Sequence, residues 1–137
     1  MRIINVATKG NTDIVDITYE LFQLVNKEDF ENGLVHLFVK GSTAAITTME
    51  NDPNLFEDFR TVLDKLVPYN FNYKHHQTWG DNNGAAHIRA SLIGMSLIVP
   101  VLNGNFMLGA YQRIVVIDFD TKPRNREVVI SFIKSTY

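Results

Sequence analysis

The chain has 137 residues, 45% of them apolar with nine Phe, and a formal charge of −2 from 13 Lys and Arg against 15 Asp and Glu. That length fits one domain with a sizeable core, burying roughly two-thirds of the unfolded chain's surface, and the balanced charge excludes the basic footprint of a nucleic-acid binder. The absence of Cys excludes disulfides and thiolate metal sites and suits the cytoplasm.

In chain order, residues 2–7 and 13–17 read as short strands joined by a turn at Lys9-Gly10-Asn11. A longer helix from Asp13 also fits the spacing of Ile14, Ile17, Leu21 and Leu24, but the β-branched run Ile14, Val15, Ile17 favours the strand. Thr18 is placed to cap a helix over about 19–29, with Leu21, Phe22, Leu24 and Val25 on one face. Strands follow at 34–39 and 43–48. A second helix starts with Asp52 as N-cap and Pro53 in the first turn, repeats Leu55, Phe59, Val62 and Leu66, and is stopped by Pro68.

The remainder reads as β, near 87–93, 96–102, 105–108, 111–119 and 126–133, with Asn103-Gly104 as a hairpin signal. The apolar run 92–102 is broken by Ser96 and Pro100 and is too short to span a bilayer. The polar start 1-MRIINVATKG-10 is not a secretory leader. The expectation is a soluble, cytoplasmic α+β domain over 1–137, mostly β-sheet, with two helices packed on one side.

Three of the four His lie between 75 and 87, inside 73-YKHHQTWGDNNGAAH-87. Neutral imidazoles and a carboxylate can hold a divalent cation, and Gly80 and Gly84 allow the tight backbone that aims them. This loop is expected to end as a strand starts at His87. An exposed turn carrying His and Asn explains the same pattern. Ser42 and Thr43 after Gly41 offer hydroxyls to an anion, and Glu50 offers a base or ligand. They equally suit a turn cap and the lead-in to the second helix. Arg124 and Arg126 suit a phosphate clamp or a solvated turn, and Gln112 suits a ligand contact or a sheet edge.

Taken in order, 42-STAAITTMEND-52, 73-YKH-75, 80-GDNNGAAH-87, 89-RASLIGMS-96, 108-LGAYQRI-114, 118-DFD-120 and 123-PRNR-126 resemble the YjbQ family, also described as the secondary thiamine-phosphate synthase family. The resemblance runs from 16-DIT-18 to the last strand. It implies a compact α+β homotrimer whose polar motif residues share a pocket near subunit boundaries, able to hold a metal or an anion. Some members resemble weak thiamine-phosphate synthases, which join a pyrimidine diphosphate to a thiazole phosphate.

By that resemblance, His75 matches the Y-x-H histidine, and Asp81, Asn83 and His87 match D-x-N-x-x-x-H. Glu50 ends the T-A-A-I segment, Gln112 matches the L-G-T-W-Q glutamine, and Arg124 and Arg126 match P-R-x-R. Departures are Gly41 and Ala85, where members carry histidines, Met95 for a proline, and Ala110-Tyr111 for Thr-Trp. The implied site has Glu50, His75, Asp81, Asn83, His87 and Gln112 for catalysis. Ser42, Thr43, Arg124 and Arg126 take a phosphorylated small molecule, and His75, His87 and Asp81 take a zinc or magnesium ion. A non-catalytic binding protein for a phosphorylated small molecule or metal, or a purely structural trimer, would use the same residues.

Overall fold

A computed structural model describes residues 1–136. The element order is β1 (Arg2–Thr8), β2 (Asp13–Asp16), α1 (Thr18–Lys27), β3 (Gly33–Val39), β4 (Ala44–Met49), α2 (Pro53–Leu66), α3 (His76–Trp79), α4 (Gly84–Ile93), β5 (Ser96–Leu102), β6 (Asn105–Phe106), β7 (Arg113–Asp118) and β8 (Arg124–Lys134). Five strands form one antiparallel sheet, β1-β8-β3-β5-β6, and three form another, β2-β7-β4. The α+β class read from the sequence holds, with β7 and β8 central in their sheets.

β7 shows why its sequence is a continuous apolar run rather than an alternating one. Successive side chains point to opposite faces, and both faces are covered. Ile114 and Val116 join the core shared with the large sheet and α1. Val115 and Ile117 join a second core with Leu63 of α2 and with Ala86 and Ala90 of α4. The small sheet is thus the middle layer, which is the usual setting for uninterrupted Val and Ile.

Several expectations are corrected. Among the described residues there are two further helices, four instead of two. The strand expected near 87–93 is helix α4, and His87 stands on that helix rather than starting a strand. Ala85, Ala86, Arg89, Ala90 and Leu92 are good helix formers, and the buried pair Ala86 and Ala90 against exposed Ile88 and Leu92 has four-residue spacing. The large aliphatics drew attention to the wrong face. The expected loop before it contains the single turn α3.

Thr18 does not cap α1 from outside; it is the first helical residue. Its hydroxyl instead accepts from Ile114 N at 2.8 Å, while Asp16 Oδ1 accepts from Thr18 N at 2.9 Å. The longer helix from Asp13 is absent because all four residues of β2 pair with β7. Asp52 does cap α2, accepting from Asn54 N at 3.1 Å. The face α2 buries is set by Leu63 and Phe59, whereas Val62 and Leu66 are exposed.

The turn between β1 and β2 carries the chain from one sheet to the other through three left-handed residues, Gly10, Asn11 and Thr12. Thr12, β-branched at φ 65°, is strained there, and buried partners hold it. Arg89 Nη1 donates to its hydroxyl at 2.9 Å and Arg60 Nε to its carbonyl at 3.1 Å. Arg89 is fully buried, donates to Val67 O at the end of α2, pairs with Asp64 at 2.9 Å and stacks on Tyr69. This staple fixes the helices, and the turn they hold touches the site.

Candidate functional site

The last residues of β7 start the site. Asp118 and Asp120 sit two apart, so the extended backbone turns both carboxylates to one side. Burial pushes the Asp118 carboxyl up, but Arg126 and Thr8 side chains, the Asp120 amide and the Arg126 charge outweigh it and hold it below the usual range. Arg126 grips it with Nε at 2.7 Å and Nη2 at 2.9 Å, the bidentate geometry that a planar guanidinium favours. Burial likewise raises Asp120, and the Thr121 amide, Arg124 and Asn83 bring it below the ordinary value.

Other elements meet at this point. Thr43, at the start of β4, donates to Asp120 Oδ2 at 3.1 Å and accepts from Arg126 Nη2 at 2.6 Å. Arg124, two residues before Arg126 on β8, lies on Asp120 at 2.8 Å with its outer part exposed. Gly41 has φ 113°, and a Cβ there would lie 2.3 Å from Arg126 Nη1. A histidine at 41 would therefore displace the buried arginine, which accounts for glycine in this chain. Ala85 is buried and has no space for an imidazole either.

From Asp120 the network reaches the histidines. Asn83, buried ahead of α4, turns its NH₂ to Asp120 Oδ1 at 3.4 Å. A carboxylate accepts only, so the Asn83 carbonyl must face the other way, and it faces His75 Nε2 at 3.2 Å. His75 must then carry its proton on Nε2, leaving the Nδ1 lone pair available in the neutral ring. His87, one turn into α4, meets His75 edge to face with ring centroids 4.6 Å apart. Asp81 Oδ1 is 3.9 Å from His75 Nε2. His75, not His76, faces this group; His76 packs on Tyr73.

Glu50 and Gln112 are elsewhere. Ala44 pairs with Asp118 at one end of β4, and Met49 pairs with Arg113 at the other. At about 3.3 Å per strand residue, Glu50 and Gln112 lie about 20 Å from Asp118. Gln112 accepts from Gly109 N and donates to Thr48 Oγ1, both at 3.0 Å, beside a cavity of about 340 Å³ lined by Tyr19, Phe22, Phe106 and Leu108. Glu50 and Ser42 are exposed. Ten sequence candidates thus separate into a histidine end and a glutamine end.

Among the described residues no group of three His, Asp or Glu side chains is placed to hold an ion. His75 and His87 are close, but the Nε2 of His75 is turned to Asn83, and Asp81 stands off. Sequence reading missed Asp118 and Asp120 as site residues. The signal was present, because Asp-x-Asp closing an otherwise apolar strand is unusual where burial of a carboxylate demands partners.

Residues 2–135 match the family described as UPF0047 protein YjbQ-like. The chain belongs to this family. A UPF0047 protein of Archaeoglobus fulgidus is 38% identical over 123 residues, covering 90% of this chain and 93% of that one. The UPF0047 protein YugU of Bacillus subtilis is 29% identical, covering 97% and 98%. An uncharacterized conserved YjbQ/UPF0047 protein of Clostridium acetobutylicum has a crystal structure that superposes with a TM-score of 0.88 at 33% identity, covering 97% of this chain and all of that one. A family-like protein of unknown function from Sulfolobus solfataricus superposes at 0.87 with 27% identity, covering 98% and 97%. Among the described residues, no helix is long and apolar enough to cross a membrane.

Proposed function

We propose that this UPF0047 protein is a cytoplasmic small-molecule enzyme acting on a phosphorylated substrate, with weak thiamine-phosphate-synthase-like transfer as the reaction to test first. The observation that carries the proposal is the His75–His87 pair, half-open to solvent and oriented from beneath by Asn83 and the buried Asp120. A solvent-facing imidazole with a fixed tautomer is what proton transfer needs. The Arg124 guanidinium, tethered to Asp120 yet partly exposed, stands where a departing pyrophosphate would need charge neutralised. Arg126 commits its Nε and Nη2 donors to Asp118 and Thr43, and its role in the proposal is to hold Asp118 and Thr43 in place.

The separation of Gln112 and Glu50 from the histidines supports assembly as a homotrimer in which one copy's glutamine end faces another's histidine end. The histidine end alone lacks Glu50 and Gln112, and the glutamine end lacks both histidines. Neither zinc nor magnesium is assigned a step, because the described residues of one chain hold no group of three converging donors. Elemental analysis of the purified protein tests whether assembly completes such a donor set.

His87→Ala decides between this reading and a non-catalytic binding protein. Pyrimidine diphosphate and thiazole phosphate are supplied together, and product is measured by mass spectrometry. Turnover should fall at least a hundredfold while the thermal midpoint stays within about 2 °C, since His87 is only partly buried. Unchanged turnover would reject the catalytic role, and binding without turnover in the unmodified protein would favour the binding protein.

A further inference from the structure

Trp79 is the only tryptophan in the chain and is 78% exposed. An exposed indole beside polar residues offers a ligand a flat apolar face with a polar handle at its edge. Its position is defined by α3. His75 has helical dihedrals and precedes the turn that Trp79 ends, so the two residues are one helical turn apart, with Cβ atoms about 5–6 Å from each other on the same face. Gly80 then takes φ 72°, donates its N–H to His76 O at 3.1 Å, and reverses the chain. That reversal brings Asp81 and Asn83 back to His75. The indole therefore stands at the lip of the histidine group, and the main chain on either side of it is fixed by hydrogen bonds.

The polar group beneath it has donors and acceptors for orientation but little apolar surface of its own. A flat ring lying on Trp79 would bury the indole and turn its polar substituents toward the partly exposed His75 and Arg124. Ring-on-indole stacking is tolerant of ring identity and adds affinity without needing a closed cavity. We infer that Trp79 is the stacking platform for a planar heteroaromatic ligand carrying a phosphate, and so sets the substrate class of the site. This rests on the functional reading above and adds a residue to it.

A single tryptophan makes the test direct, because intrinsic emission reports residue 79 alone. The full chain is titrated with hydroxymethylpyrimidine phosphate and, separately, with inorganic phosphate, following tryptophan emission and heat of binding together. The pyrimidine should quench or shift the emission, and inorganic phosphate should not. Trp79→Ala should weaken pyrimidine binding about tenfold with unchanged thermal midpoint and sedimentation, and Trp79→Phe should recover most of it. Calorimetric binding with unchanged emission and full affinity in Trp79→Ala would overturn the stacking role and leave the functional reading intact. No heat of binding with either compound would overturn both. A smaller assembly in Trp79→Ala would show the indole to be a subunit contact and would also overturn the inference.

Discussion

Asn83 presents its carbonyl to His75 Nε2 at 3.2 Å because its NH₂ is committed to Asp120. The protonation pattern of a half-exposed imidazole is thereby decided by a buried carboxylate two hydrogen bonds away.

Asn83→Ala cuts that connection. Nitrogen chemical shifts of the His75 ring should show the Nε2–H form dominating in the unmodified protein and a mixture of tautomers in the variant. Turnover, if present, should fall about ten- to a hundredfold, as is typical when a group orienting an imidazole is removed. An unaltered tautomer ratio would mean that the hydrogen bond does not orient the ring.

Arg126→Met should be far more damaging to the fold than a surface change. It leaves Asp118, with no solvent exposure, without its bidentate partner, and breaking one side of a buried pair costs about 3–5 kcal/mol. Urea unfolding measures it. The double variant Arg126→Met with Asp118→Leu should recover part of the loss, since no unpaired charge is then buried. A loss below about 1 kcal/mol for the single change would show that water reaches Asp118.

Acid should weaken the protein through the same residues. Asp118, Asp120 and Asp16 are all held below their ordinary carboxyl range. Burial raises each but is outweighed by arginine hydrogen bonds and charge at Asp118 and Asp16 and by the Thr121 amide and then Arg124 at Asp120, with further help from backbone amides. Folded values below unfolded ones mean the stabilisation is fully present above the unfolded value of about 4 and is lost as pH falls through the lower folded values. Unfolding free energy should be flat near neutrality with respect to these groups and decline below about pH 4. Asp118→Asn, though less stable throughout, should show a shallower decline. Equal slopes would place the acid sensitivity in other groups.

The proposed sharing of sites between copies of a homotrimer predicts complementation. His87→Ala and Gln112→Ala should each be inactive alone. After co-refolding in equal amounts, about a quarter of all sites, or about one in three within mixed trimers, would hold both intact residues. Recovery of activity on mixing supports sites built across copies; persistent inactivity in verified mixed assemblies would confine each site to one chain.

How much of this was legible beforehand depended on whether the signal was local. The cap at Asp52, the Asn103-Gly104 hairpin and the apolar runs of β7 and β8 depend on neighbouring residues alone, and the structure has each where the sequence put it. Helix α4 was misread because its apolar residues were taken as evidence of burial, whereas small alanines make the contact and Ile88 and Leu92 face outward.

The sequence by itself determined the family, the α+β class and the residue types available for chemistry, since these follow from motif order and periodicity. Only the tertiary structure decided which of those residues meet. Antiparallel pairing of β4 with β7 sends Thr43 to Asp120 and carries Glu50 and Gln112 to the far end. Pairing of β8 with β1 in the other sheet brings Arg126 onto Asp118, where a buried carboxylate at a strand end needs a nearby cation.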